Sequence, residues 1–383
     1  MNLDNSTILA LTALRQELHK YPEISGNEVA TAKRILSFLS NYPPDTLLSN
    51  IGGHGIIAIY NGEKEGKQIL FRCELDALPI AEVNTFEYKS VFKDVSHKCG
   101  HDGHMAILCG LAMQLHLKRP ETGAVILLFQ PAEEDGNGAA KVFNDSQFNL
   151  KPDFAFALHN LPSYPANEIV IKNDTFTCAV NSMIIKLKGK TAHAGEPQMG
   201  INPTLAVAEI INAFNSSIQT DISRKDYGLI TPIYTRIGSK AYGVSAGDGE
   251  IHFTVRSNSN AQMKELEYHL EKTARNIASK QQLEIAISWT ESFQANENNE
   301  EAANFIRQAA NSNQNLIQEK ESPFSWGEDF GLFTQHFPGA MFGLGSGTTT
   351  PALHNPDYDF PDEIIATGVT IFHSISKQIL NAH

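Results

Sequence analysis

Residues 97–130 read HKCGHDGHMAILCGLAMQLHLKRPETGAVILLFQ, a polar turn, an apolar stretch of helical length, and then a strand with no polar residue until its last. Between His97 and His104 the turn crowds one thiol, three imidazoles and one carboxylate into eight residues. Cys99 and His101 can hold a cation together from a loop, and Asp102 is placed to cap a helix starting at Gly103. Taken alone, the stretch fits equally well a helix start whose histidines are solvated and whose thiol is a small core residue.

Working outward, the first half of the chain alternates helix and strand. MNLDNSTILALTALRQELHK breaks its apolar residues at helical spacing, and NEVATAKRILSFLS does the same. Strands follow in HGIIAIY and KQILFRCELD, then the helix after Gly103, the strand AVILLFQ, the buried strand DFAFALH and the short strand NEIVIK. Near-continuous apolar strands between helices require a sheet covered on both faces and in part parallel, so the fold class is α/β.

From about Asn181 the texture changes. SMIIKLKGK and IHFTVRS alternate like half-exposed strands, NPTLAVAEIINAFNSSI and AQMKELEYHLEKTARNIASKQQ read as helices, and LEIAISW as another strand. This is the split βαβ, ferredoxin-like arrangement. The expected organisation is a catalytic mixed-sheet domain at 1–180 and 291–383, interrupted by a small inserted domain at 181–290. The C-terminal part, with AANFIRQAA, AMFGLG and a long last helix, returns to the first domain, and GSGTTTP is its clearest flexible loop.

Composition narrows the function. At 383 residues the chain exceeds the size at which one core stops growing, and its formal net charge of −13 argues against nucleic acid or an anionic membrane surface as a partner. No apolar run approaches the roughly 20 residues that span a bilayer, and no export signal is evident, so a cytoplasmic location is expected. Cysteines at 73, 99, 109 and 178 then fit free thiols rather than a disulfide framework.

The remaining donors sit where strands end. AVILLFQ runs into Pro131 and delivers Glu133 and Glu134, adjacent residues that point different ways, so that one binds a cation while the other handles a proton from water. His159 closes the strand DFAFALH, and His354 lies in PALHNPDYDF beyond the glycine-rich loop. Singly, the first resembles a satisfied core histidine, the second an exposed loop histidine, and the glutamates a solvated acidic turn. Together Cys99, His101, Glu134, His159 and His354 offer sulfur, nitrogen and oxygen suited to zinc and tolerable for cobalt or manganese, and five donors imply two ions. His104, three residues past His101 on the same helical face, is a neighbour for the ligand imidazoles. Arg256, at the end of FTVRS, is a candidate receiver of a substrate carboxylate, although an ion pair is its simpler role. His54, His116 and His336 have no convergent partners and read as structural.

The motifs FRCELDALPI, HKCGHDGH, LFQPAEEDGNGA, ALHNLP, GKTAHAGEPQMGINP, WGEDFG and LHNPDYDF occur in the order seen in the hippurate hydrolase and N-acyl-amino-acid amidohydrolase family. That family includes the plant indole-acetyl-amino-acid hydrolases, and the chain resembles it from ELHKYPEIS to the closing helix. The resemblance implies a dinuclear metal centre with Cys99, His101, Glu134, His159 and His354 as ligands and Glu133 as general base. It also implies that the inserted domain is a lid that mediates homodimerisation, that His193 in TAHAGEP helps hold the oxyanion in a partner's site, and that Asp76 lies behind the metals.

Three departures stand out. Glu74 occupies a position where relatives commonly carry aspartate, with a small expected effect. AYGVSA places Gly243 where many relatives carry an asparagine, which bears on substrate class. Gln198 replaces a frequent histidine, with Glu196 adding negative charge nearby. The expectation is a dinuclear amidohydrolase acting on an N-acyl or N-aroyl amino acid. The competing readings are a metallo-dipeptidase or aminopeptidase, a non-catalytic metal-binding protein, and a redox-sensing thiol protein centred on Cys99.

Overall fold

In the computed structural model, residues 3–381 are described; Met1 and Asn2 of the expected N-terminal helix lie outside them. The chain divides into two compact units, one formed by residues 1–176, 296–321 and 329–383, the other by 177–295 and 322–328.

The first unit is built on an eight-stranded mixed sheet. Its strand order is Thr46–Ile51, Gly55–Asn61, Thr122–Gln130, Lys64–Glu74, Phe154–Pro162, Gly339–Gly347, Ile169–Ile171 and Ile317–Glu319. Lys64–Glu74 is parallel to both of its neighbours, and Phe154–Pro162 is parallel to Gly339–Gly347. These central strands are the runs with little polar interruption, as burial on both faces demands. Phe71, Phe156, Leu127 and Phe342 pack in one core with Leu11, Ile107, Leu111, Val369 and Phe372 from the helices Asn5–Lys20, His101–Leu117 and Ile365–Leu380.

The second unit is a four-stranded antiparallel sheet ordered Gly228–Ile237, Asp248–Ser257, Ala179–Lys188, Glu284–Phe293. Its helices Thr204–Ser216 and Asn260–Lys280 join strand residues such as Met183, Ile185 and Phe253 in a separate core. Among the described residues, no helix is long and apolar enough to cross a membrane.

The helix expected from Gly103 starts two residues earlier. It spans His101–Leu117, and its N-cap position is Gly100, at φ 93°. Asp102 therefore does not cap it. It is fully buried inside the first turn, where His19 Nδ1 lies 2.8 Å and Arg15 Nη1 3.5 Å from its carboxylate, and Arg15 also reaches Asp359 and Asp362. Tertiary cations have claimed a side chain that local preference would have sent to the backbone.

His373, in the last helix, is buried, and that burial, with Lys377 and Lys118 close by, pushes its imidazole down to about 4. The unfolded chain takes up this proton near 6.5, the folded chain only near 4, so protonation between those values favours unfolding. Stability should fall as pH drops through that window. Urea midpoints measured at about pH 7 and about pH 5 should differ less for His373→Gln than for the parent chain; an equal difference would remove His373 from the account.

Candidate metal centre

Most donors proposed from sequence in the first unit come off the carboxyl edge of the parallel strands, while Cys99 and His101 sit at the start of the helix His101–Leu117. Lys64–Glu74 leads into Asp76, Thr122–Gln130 leads through Pro131 into Glu133 and Glu134, Phe154–Pro162 carries His159 near its end, and Gly339–Gly347 leads through the glycine-rich loop to His354. Open α/β sheets place their ligands at this edge. Two backbone positions on the loops are strained: Ala132 has φ 55° and His354 φ 65°, left-handed values that side chains disfavour.

The structure brings these donors together. Ligand atoms of Cys99, His101 and His159 lie within 4.8 Å of one another, and so do those of Cys99, Glu134 and His354. His101 also groups in this way with Glu133 and Glu134. Overlapping sets that share Cys99 and His101 are what two adjacent ions need. Cys99 Sγ is 3.4 Å from His159 Nε2, His354 Nε2 is 3.8 Å from Glu134, and His101 Nε2 is 3.9 Å from both Glu133 and Glu134. His354 is the exposed member, while Cys99, His101 and His159 are buried.

The imidazoles are oriented from behind. His101 Nδ1 donates to the Asp76 carbonyl at 2.9 Å, and His159 Nδ1 donates to the Asn160 carbonyl at 2.9 Å. In the neutral ring each bond leaves Nε2 as the lone-pair nitrogen, the form in which histidine binds metal. Buried His101 Nε2 has no hydrogen-bond partner among the described residues. A buried polar atom with no partner calls for an explanation, and a cation held among thiol, imidazole and carboxylates supplies one.

The electrostatics agree. Burial works against charge on His101, yet the Asp76 hydrogen bond and the carboxylates of Glu74 and Glu134 outweigh it and raise its pKa to about 10. Burial, with the carboxylates of Glu134 and Glu133, pushes the Cys99 thiol well up. Burial also holds His159 well below the ordinary imidazole value. The pocket thus carries an excess of negative charge, and a divalent ion is the species that would both neutralise it and turn the thiol into a ligand thiolate.

Asp76 and His104 lie behind the donors. Asp76 accepts from Ser25 at 2.7 Å and from the Glu134 backbone at 2.9 Å. His104 Nδ1 is 2.6 Å from Glu74, whose other oxygen is paired with Arg72. Glu74, seen in the sequence only as a departure of small effect, is thus a fully buried link between strand and helix. Arg72, Gln130 and Asp329 form a further buried cluster; all three lie in the quoted motifs FRCELDALPI, LFQPAEEDGNGA and WGEDFG but were given no role from sequence. Glu28, also unmarked, is buried and accepts the Ala132 N–H at 2.8 Å, so it steadies the loop that carries Glu133.

Two candidates belong to the second unit. His193 is exposed on a two-residue strand paired with Val244–Ser245, and its Nδ1 accepts the Gly195 N–H at 3.0 Å. Arg256 donates through Nη1 to the Ser325 carbonyl at 2.7 Å.

Comparison with known proteins places this geometry in a family. Residues 70–378 match the model of peptidase family M20/M25/M40. An N-acetylcysteine deacetylase of Bacillus subtilis is 29% identical over 372 residues, 97% of each chain, and an N-acetyldiaminopimelate deacetylase of a Geobacillus strain is 31% identical over 89% of this chain and 90% of that one. The crystal structure of a dinuclear metal binding peptidase of the M20 family from Bacillus subtilis superposes with a TM-score of 0.85 at 26% identity, covering 98% of this chain and 99% of that one. The chain belongs to peptidase family M20/M25/M40 and is a metal-dependent hydrolase. The narrower hippurate hydrolase grouping expected from the motifs is not needed for this assignment.

If Cys99 serves both ions, Cys99→Ser purified without chelators should carry measurably less divalent metal by elemental analysis than the parent chain. Full metal content in that variant would remove Cys99 from the ligand set.

Proposed function

We propose that the chain hydrolyses the amide bond of an N-acyl amino acid to a carboxylic acid and a free amino acid, with acetyl as the favoured acyl group. The observation that carries this reading is the convergence of Cys99, His101, Glu134, His159 and His354 beside a second carboxylate, Glu133, at one sheet edge. The acetyl preference draws on relatives named as N-acetylcysteine and N-acetyldiaminopimelate deacetylases, which align with most of the chain.

In this reading two divalent ions, zinc, manganese or cobalt, held by those five ligands supply Lewis acidity that polarises the scissile carbonyl and acidifies water. The chain's own residues do the rest. Glu133, buried and 3.9 Å from His101, takes the proton of the water whose oxygen attacks the carbonyl carbon. As the carbon–nitrogen bond breaks, Glu133 returns that proton to the departing amine. Asp76 holds His101 in its ligand tautomer through the 2.9 Å carbonyl contact. His193, whose Nδ1 is an acceptor, keeps its Nε2–H for donation to the developing oxyanion in the partner subunit's site. Residues 181–290 act as a lid and dimerisation domain, the working protein is a cytoplasmic homodimer, and Arg256 is a candidate receiver of the substrate carboxylate.

Glu133→Gln should retain its metal yet lose turnover by roughly 10²- to 10⁴-fold, the usual worth of a general base. Undiminished turnover would strip Glu133 of that role. In a substrate panel, N-acetyl amino acids should be cleaved in preference to hippurate and to dipeptides, and chelation should abolish the activity. Cleavage of dipeptides alone would overturn the deacetylase reading in favour of a peptidase.

A further inference from the structure

The side chain of Asn160 carries no role in the reading above, yet the segments that bear four of the five proposed ligands meet at it. Its carbonyl oxygen accepts from His159 Nδ1 at 2.9 Å, which turns His159 Nε2 toward Cys99. Its side-chain Oδ1 lies 2.6 Å from His104 Nε2, and His104 Nδ1 lies 2.6 Å from Glu74, so the amide is tied through one imidazole to the neighbouring strand. Its Nδ2 donates to the Tyr358 hydroxyl. Tyr358 is four residues beyond His354, its carbonyl accepts from Lys98 Nζ at 2.7 Å, and the Lys98 carbonyl in turn accepts the His354 N–H at 2.8 Å.

The same amide presses on the turn between Cys99 and His101. A Cβ at Gly100 would lie 2.4 Å from Asn160 Oδ1, closer than any real contact, and Gly100 is already at φ 93°. Glycine is required there twice over, by the left-handed backbone and by the side chain lying against it. Asn160 is itself fully buried. Few side chains meet these demands: an acceptor must face His104 and a donor must face Tyr358, from a flat group thin enough to sit on a Cα.

We infer that Asn160 is a positioning residue of the metal centre, setting the spacing of Cys99, His101, His159 and the His354 loop without touching metal or substrate. This rests on the two-metal reading above. Groups that orient ligands are worth roughly 10- to 100-fold in metal affinity. Asn160→Ala leaves all five ligands in the chain and removes what holds three segments in register.

The test uses full-length protein freed of metal and titrated with cobalt, read by competition with a chromophoric chelator and by the thiolate-to-cobalt and d–d absorption bands. Asn160→Ala should bind cobalt roughly 10- to 100-fold more weakly, with altered bands. Phe156→Leu, on the same strand but remote from the amide, should lose thermal stability while keeping cobalt affinity, which separates positioning from mere packing. Gly100→Ala should also weaken binding, and adding Asn160→Ala to it should cost less than the two single effects combined, because the second change removes the clash. Asn160→Asp, which keeps the acceptor and the shape but not the donor, should show an intermediate loss and serves the same purpose should the alanine variant not fold. Parental affinity and bands in Asn160→Ala, or in Asn160→Asp in its place, overturn the positioning role alone. A parent chain that takes up no cobalt overturns the metal reading, and this inference with it.

Discussion

The parallel register of four strands is the constraint on which the site depends. Glu74 pairs across from Gln130, Arg72 from Ala157 and Gly343 from His159, so His159 lies level with the ends of Lys64–Glu74 and Thr122–Gln130. A shift of one residue along any of them would turn its side chains to the other face of the sheet and carry its donor away from the rest. The apolar runs hold this register because each is buried on both faces, and the chemistry lies in the residues after the runs and in the turn at the start of His101–Leu117.

Bringing so many ionisable groups out of water is costly unless each is paired. The structure answers with layers of partners. Arg72 faces Glu74 and Asp329, Arg15 and His19 face Asp102, and Lys98 faces Glu82, with the side chains of Arg15, His19, Arg72 and Lys98 wholly buried. The hydrogen bond and charge of His19 help hold Asp102 ionised against the cost of burial. Replacing one member of such a set leaves its partner uncompensated, which makes these networks sensitive to single substitutions although they add little net stability. They fix the first turn of His101–Leu117 from one side as Asn160 does from the other.

Much of this was legible in the sequence, for identifiable reasons. Long apolar runs bounded by turn residues gave the central strands, and helical spacing gave Asn5–Lys20, Val29–Leu39 and Asn260–Lys280. Cys99, His101, Glu133, Glu134, His159 and His354 could be picked out because each follows or ends such a run or sits in a donor-rich turn. The sequence was less informative where tertiary contacts override local preference. Asp102 has the position of a cap and was taken by Arg15 and His19 instead. Gly228–Ile237 is an edge strand with Pro232 at a register shift and an exposed stretch from Thr231 to Arg236, so it lacks the alternation that marks the other strands. Asn160 and Glu28 were given no role and Glu74 only a small one, because an amide or acid beside a ligand has no spacing of its own; their importance lies in partners 30 to 198 residues away.

The insertion of the second unit between His159 and His354 has a temporal meaning. Of the proposed ligands, Cys99, His101, Glu134 and His159 precede the second unit in the chain, and the set closes only with His354, which follows it. During synthesis, a nascent chain lacking its last strand and loop presents an unfinished cage with an open side. On the proposed ligand set, full-affinity capture of metal would be deferred until the segment carrying His354 has emerged, and the ions would act as a seal on folded segments rather than as a seed for them.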